Sequence, residues 1–334
     1  MNIEEQGVLI QSKLISSLVH LFLLFILSSI FPVSADTPLS INTADSKQVV
    51  RHHVYFLSSP DIDLHSKIMQ KLSEDLSLQH AGITIENISL KNKFDSIDSR
   101  NGLVVAIGPA AIENAIDNYP HVSKLFISTD AESFKPDDGT DKNDAILYMT
   151  QSYCRQIHLI RLLNKNWKTI SILNSQKKPI DRDSIQDCSN RYRINTYIVS
   201  TDVDEDLNQK IKHALHHSDV LLALPDSDIY NSKSVKNILL TSYRYRKPVI
   251  AFSRNFVNAG ALAAIHSSSD HLALSTSELI RGFFDSGNRF QRSVNHPQAF
   301  DVSINKQVFR ALDLALPDVR KITESIESDE TGKP

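Results

Sequence analysis

The stretch DVLLALPDSDIYNSKSVKNILLTSYRYRKPVIAFSRNFVNAGAL, residues 219–262, holds two apolar runs of strand length, 220–225 and 248–253. Between them Val235, Ile238, Leu239 and Ser242 recur at the i, i+3, i+4, i+7 spacing of a helix that buries one face. Strand, helix, strand predicts a parallel wound sheet. In such folds the turns at the carboxyl ends of strands leave a crevice where small molecules settle. Asp226 stands at that point, where the first strand gives way to the helix, and a carboxylate held there can pair with a ligand ammonium. Tyr230 adds a ring and a hydroxyl, and Asn231 can donate and accept together. Asp and Asn are also favoured helix caps, so ligand contact and capping are both open to Asp226 and Asn231.

The same alternation extends in both directions. Towards the amino end, VYFLSS (54–59), LVVAIGP (103–109), KLFIST (124–129) and AILYMT (145–150) read as strands with helical patterns between them. After a helix over about 153–163 come TISILNS (169–175) and TYIVST (196–201). Two sets of four strands exceed one sheet's needs, and two α/β lobes are the economical arrangement. The expected division is 48–150 plus about 259–285 for an amino-terminal lobe, and 151–258 plus about 298–325 for a carboxy-terminal one. The chain crosses between them near Thr150-Gln151, which makes Gln151 a further candidate contact. Residues 282–297 read as an exposed connection, and the tail 326–334, carrying ESDETGKP, as disordered.

Other strand ends complete the candidate walls. Ser58, Ser59 and the Gly108-Pro109-Ala110 turn would present backbone N–H groups to an anion such as a carboxylate, with a plain turn as the alternative. Ser253 and Phe256 form a polar and aromatic wall in the second lobe, beside Arg254. Neither a GxGxxG nor a Walker loop is present, and no strand end shows a nucleophile with a base; that inventory suits binding rather than catalysis.

The formal charge of −3 gives no field to gather nucleic acid. His213 and His217 have the i, i+4 spacing of zinc ligands, but no third ligand is evident, and Leu207, Ile211 and Leu215 turn His213 and His216 to solvent; no metal is expected. The cations of 243–247 complement a helix carboxyl end rather than forming a nucleic-acid patch. Residues 14–33 are apolar and end in Val33-Ser34-Ala35, predicting a signal peptide over 1–35 cleaved after Ala35; an uncleaved membrane anchor is the alternative. In an oxidising compartment Cys154 and Cys188 could pair or remain two buried thiols.

The run 221–268, with VVAIGPAA, TQSYCRQIHLIRLL, TISILNS and FDVSINKQVFRALDLALPD in order, resembles the ABC-transporter substrate-binding protein family that includes tryptophan- and tyrosine-binding proteins, in particular its proteobacterial branch. The resemblance covers nearly all of 50–320. It implies the type I periplasmic-binding-protein fold, two Rossmann-like lobes joined by three strands and closing on a ligand. It also implies a ligand contact at Asp226, and with it Asn231, with Gly108 in the opposite wall. The chain departs from the aromatic-amino-acid binders in having LPDSDIYN in place of a shorter turn and Arg254 after Ser253. The expected function is a periplasmic, monomeric, cofactor-free solute-binding protein that presents a small ligand to an inner-membrane ABC permease. A sensing subunit for a membrane receptor is the alternative output, and an α/β transferase or hydrolase a more distant one.

Overall fold

A computed structural model describes residues 51–331, except 59–62, 80–81, 91–96, 98–100, 129–142, 179 and 203–205. The candidate signal segment and Ser59 therefore lie outside the described residues. The first sheet contains β1 (His52–Ser58), β2 (Ile83–Ile88), β3 (Gly102–Ile107), β4 (Ser123–Ser128) and β5 (Ala145–Tyr148), joined late in the chain by β11 (Val294–Asn295). Its order is β11-β5-β4-β3-β1-β2, parallel throughout. Helices α1 (Asp63–Gln79) and α2 (Pro109–Asn118) connect its strands.

The second sheet contains β6 (Thr169–Ser175), β7 (Asn195–Thr201), β8 (Val220–Leu222), β9 (Val249–Ala251), β10 (Ala263–His266) and β12 (Asp301–Ile304), ordered β12-β10-β9-β8-β6-β7. Only β12 runs antiparallel. Its helices are α3 (Tyr153–Leu163), α4 (Arg182–Tyr192), α5 (Leu207–His216), α6 (Val235–Arg244) and α7 (Arg254–Ala259). After β10 the chain continues through α8 (Ser269–Asp285), and after β12 through α9 (Lys306–Ala311) and α10 (Val319–Thr331).

The continuous apolar strands follow from burial on both sheet faces. Along β3, Leu103, Val105 and Ile107 pack with Ile68, Leu72 and Leu76 of α1, whereas Val104 and Ala106 pack with Ala111 and Ala115 of α2. The two-residue period of a strand thus feeds two separate cores. In the second sheet, Val220 and Leu222 face α3 and α10, while Leu221 faces α5 and α6.

The structure differs from the sequence reading at three places. The return to the first lobe, expected from about residue 259, begins after His266: β10 pairs with β9, because Ala263 and Ile265 complete the second-lobe core beside Ile250. Helix α8 does return, burying Leu272, Ile280 and Phe283 in the first-lobe core. Residues 282–297 are not wholly a loop, since α8 extends to Asp285 and β11 extends the first sheet. The expected disordered tail is α10 as far as Thr331, held by Ile322 and Ile326 one turn apart in the second-lobe core.

Candidate functional site

Three connections join the lobes: β5 to α3, β10 to α8, and β11 to β12. Each leaves from the carboxyl end of a parallel strand, so the carboxyl ends of both sheets are directed to the same junction. One chain of side-chain hydrogen bonds links all three. Gln151 Nε2 donates to Ser267 Oγ at 2.6 Å, and Ser267 Oγ donates to the Ala299 carbonyl at 2.8 Å. Arg155, buried one turn after Gln151, donates to Gln151 Oε1 and, at 2.7 Å, to the Pro297 carbonyl. His296 donates from Nδ1 to the Thr150 carbonyl at 2.9 Å. Burial, despite that bond, lowers the pKa of His296 below the usual imidazole range. Gln151 was expected as a ligand contact; its side-chain amide is buried and bonded within this hinge on both sides.

At the second-lobe wall the Asp226 carboxylate is buried and ties two strand ends together. Its Oδ2 accepts the Ser175 amide at 2.7 Å and its Oδ1 the Asp228 amide at 3.0 Å. Its carbonyl accepts the Tyr230 amide at 2.7 Å. Of the two roles open to Asp226, the structural one is therefore in place. Asn231 is a turn cap: its Oδ1 accepts the Lys233 amide at 3.0 Å and its Nδ2 donates to the Ser227 carbonyl at 3.0 Å. Of the two roles open to Asn231, capping is likewise in place, because both ends of its amide bond locally.

Two hydroxyls beside Asp226 are left over. Tyr230 Oη and Ser175 Oγ are buried and have no hydrogen-bond partner among the described residues. The Tyr230 ring packs edge-on against Phe252 and Phe256, at 6.3 and 6.0 Å between centroids. Burial first, and the Asp226 charge second, push its ionisation far upward, so the phenol stays neutral. A neutral hydroxyl donates and accepts, and burying one without a partner costs on the order of 1–3 kcal/mol.

The remaining predicted residues are dispersed. Ser253 caps α7 by accepting the Phe256 amide at 3.3 Å. Phe256 is buried, and it lines a groove on the flank of the lobe between α6 and α7 rather than standing as an open wall. In the first lobe, Gly108 has φ 88° and ψ 164° at the start of α2, a conformation that excludes most side chains, with Pro109 at the first helical position. Ala110 is exposed beside it, and Ser58 is half-buried at the end of β1.

Cys154 and Cys188 form a disulfide that ties α3 to α4. His213 and His217 belong to an aromatic cluster: His213 Nε2 lies 2.7 Å from the Tyr197 hydroxyl, and His217 stacks on Tyr197. Among the described residues no three His, Cys, Asp or Glu side chains are placed to hold a metal ion. Sequence reading missed Arg155, Asp329 and Glu330. For the two acids the signal was the i, i+4 pair Ile322 and Ile326, which marks an amphipathic helix running into the supposed tail.

No protein-family model matches the chain, and no curated protein matches it. Solved structures do. A ligand-free, open substrate-binding protein with adhesive properties from Clostridium difficile matches with a TM-score of 0.61 at 16% identity, over 80% of this chain and 96% of that one. An ABC domain in complex with L-Trp from Streptococcus pneumonia matches at 0.55 and 14% identity, over 82% and 98%. A conserved domain protein from Vibrio cholerae matches at 0.53 and 14%, over 82% and 97%. At these identities the likeness defines a fold: the chain has the two-lobed α/β architecture of the type I periplasmic binding proteins.

Proposed function

We propose that this chain is an exported solute-binding protein that closes on a small ligand between its lobes and presents it to an inner-membrane ABC permease. The observation that carries the reading is the hinge. Three connections, laced together through Gln151, Ser267 and Ala299, hold the carboxyl ends of two parallel sheets at one junction. A ligand there would meet the hydroxyls of Ser175 and Tyr230 beside the Asp226 carboxylate, with Ser253 on the same lobe. The Gly108–Ala110 helix start, with Ser58, would form the opposite wall, and its positive dipole end favours a carboxylate. That pairing of charges fits a zwitterion such as an amino acid, and the rings of Tyr230 and Phe252 beside it favour an aromatic or apolar side chain.

Titration calorimetry of the chain from Asp36 onward against the common amino acids tests this. The expected result is one ligand per chain, recovered chemically unchanged. Absence of binding across the panel, or consumption of the ligand, would overturn the reading. Amino-terminal sequencing of the protein recovered from the periplasm is expected to begin at Asp36.

A further inference from the structure

On the flank of the second lobe, α6, α7 and α9 enclose an open groove of about 680 Å³. Val235, Leu239, Leu240, Tyr243, Phe256 and Val308 line it. Leu240 is 47% exposed and Tyr243 54%, unusual values for large apolar side chains on a surface with no attachment to cover. The groove runs along α6, a helix of ten residues, which spans about 15 Å. Val308 closes it at the end remote from Asp226, because antiparallel β12 delivers α9 to that end of the sheet.

The three helices carry charge of one sign. No Asp or Glu occurs from Ile229 to Gly260, nor from Val302 to Leu312. Lys233, Lys236, Arg244, Arg254, Lys306 and Arg310 are exposed on these segments, and none forms an ion pair among the described residues. The two other cations there are matched: Arg246 with Asp313 at 2.7 Å, and Lys247 with Asp219 at 3.6 Å. In a chain whose net charge is −3, a groove lined by Lys236 and no carboxylate, between three helices that carry cations and no Asp or Glu, is a local inversion.

We infer that this groove is a docking site for an amphipathic helix of a partner protein whose apolar stripe is flanked by Asp or Glu. A helix in a groove is anchored by apolar residues at i, i+3, i+4 and i+7, which matches apolar walls contributed by two packed helices. The acidic flanks would meet the unpaired cations, fixing orientation and speeding encounter. Two copies of this chain joined groove to groove would set like charges against each other. A flat anionic membrane would satisfy the cations and leave the concave floor unfilled.

The probe is a fluorescein-labelled 18-residue peptide with Leu at the i, i+3, i+4, i+7 positions and Glu on the flanks, titrated with the full chain by fluorescence anisotropy. The expected Kd is on the order of micromolar, weakening several-fold when salt rises from about 0.05 to 0.3 M. Leu240→Asp, Tyr243→Asp and Lys236→Glu, all at surface positions, should each weaken it about tenfold or more with an unchanged circular dichroism spectrum. A peptide with Lys in place of Glu should bind about tenfold more weakly. Equal binding of the two peptides, no binding of the acidic peptide, a dimer abolished by Leu240→Asp, or binding to phosphatidylglycerol vesicles in place of the peptide would each overturn the proposal.

Discussion

Arg155 and Glu330 join the hinge to the last helix through two parallel bonds: Nε to Oε1 at 2.7 Å and Nη2 to Oε2 at 2.5 Å. The guanidinium also lies over the Phe300 ring, 4.6 Å from its centroid, and donates to the Pro297 carbonyl. Arg155 is buried, whereas Glu330 remains a third exposed, so removing the acid leaves a buried cation only partly satisfied.

Glu330→Gln, or truncation after Glu327, is therefore expected to cost about 1–2 kcal/mol in urea unfolding. Truncation also removes Asp329, which accepts the Tyr192 hydroxyl at 2.6 Å and pairs with Arg191 at 2.9 Å. A tail without a structural role would give a change within about 0.5 kcal/mol.

Asp226 carries a separate prediction. Because each carboxylate oxygen accepts one backbone amide, Asp226→Ala leaves the amides of Ser175 and Asp228 without their acceptor. Stability should fall by about 1–3 kcal/mol even with no ligand present. Equal unfolding midpoints for Asp226→Ala and the parent chain would mean that the carboxylate serves ligand alone.

The two lobes were legible because the strands are short, apolar and separated by helical spacing, a pattern that needs no long-range information. The register of β10 was not. ALAAIHSS suits either sheet, and only the packing of Ile265 against the second-lobe core assigns it. Asp226 and Asn231 were visible as residue types, but capping and ligand contact use the same chemistry, so their partners had to be seen. Arg155 and Glu330 are 175 residues apart, and no local pattern could pair them. The tail was misjudged because its charged residues outweigh the two isoleucines that anchor it.

The Cys154–Cys188 bond closes a loop with a sequence separation of 34 and clips α3, which opens the second lobe, to α4. Chain-entropy reasoning for a loop of that size gives about 3–4 kcal/mol. Replacing both cysteines by Ala is expected to lower the urea midpoint accordingly, and dithiothreitol should lower the parent midpoint while leaving the double variant unchanged. A parent chain indifferent to reductant would refute the pairing.

Acid should weaken the protein before its carboxylates titrate. His52, His158, His266 and His296 all have pKa values lowered chiefly by burial. In the unfolded chain they titrate near the ordinary value of about 6.5, so below that pH the unfolded state binds more protons than the folded one. The stability these groups contribute is therefore complete above about pH 6.5 and declines as pH falls through their lower folded values, by up to about 1.4 kcal/mol per pH unit for each proton of difference. Asp329 adds a loss of the same sign further down: burial alone would raise its pKa, but the Tyr192 hydrogen bond and the charge of Arg191 hold it below the usual carboxylate value. Thermal unfolding followed from pH 8 to pH 5 should thus show Tm constant to about 6.5 and then falling. His296→Gln should flatten part of that slope, because an amide can still donate to Thr150 while taking up no proton. A Tm that holds or rises between pH 6.5 and 5 would show that the hinge imidazole ionises as freely folded as unfolded.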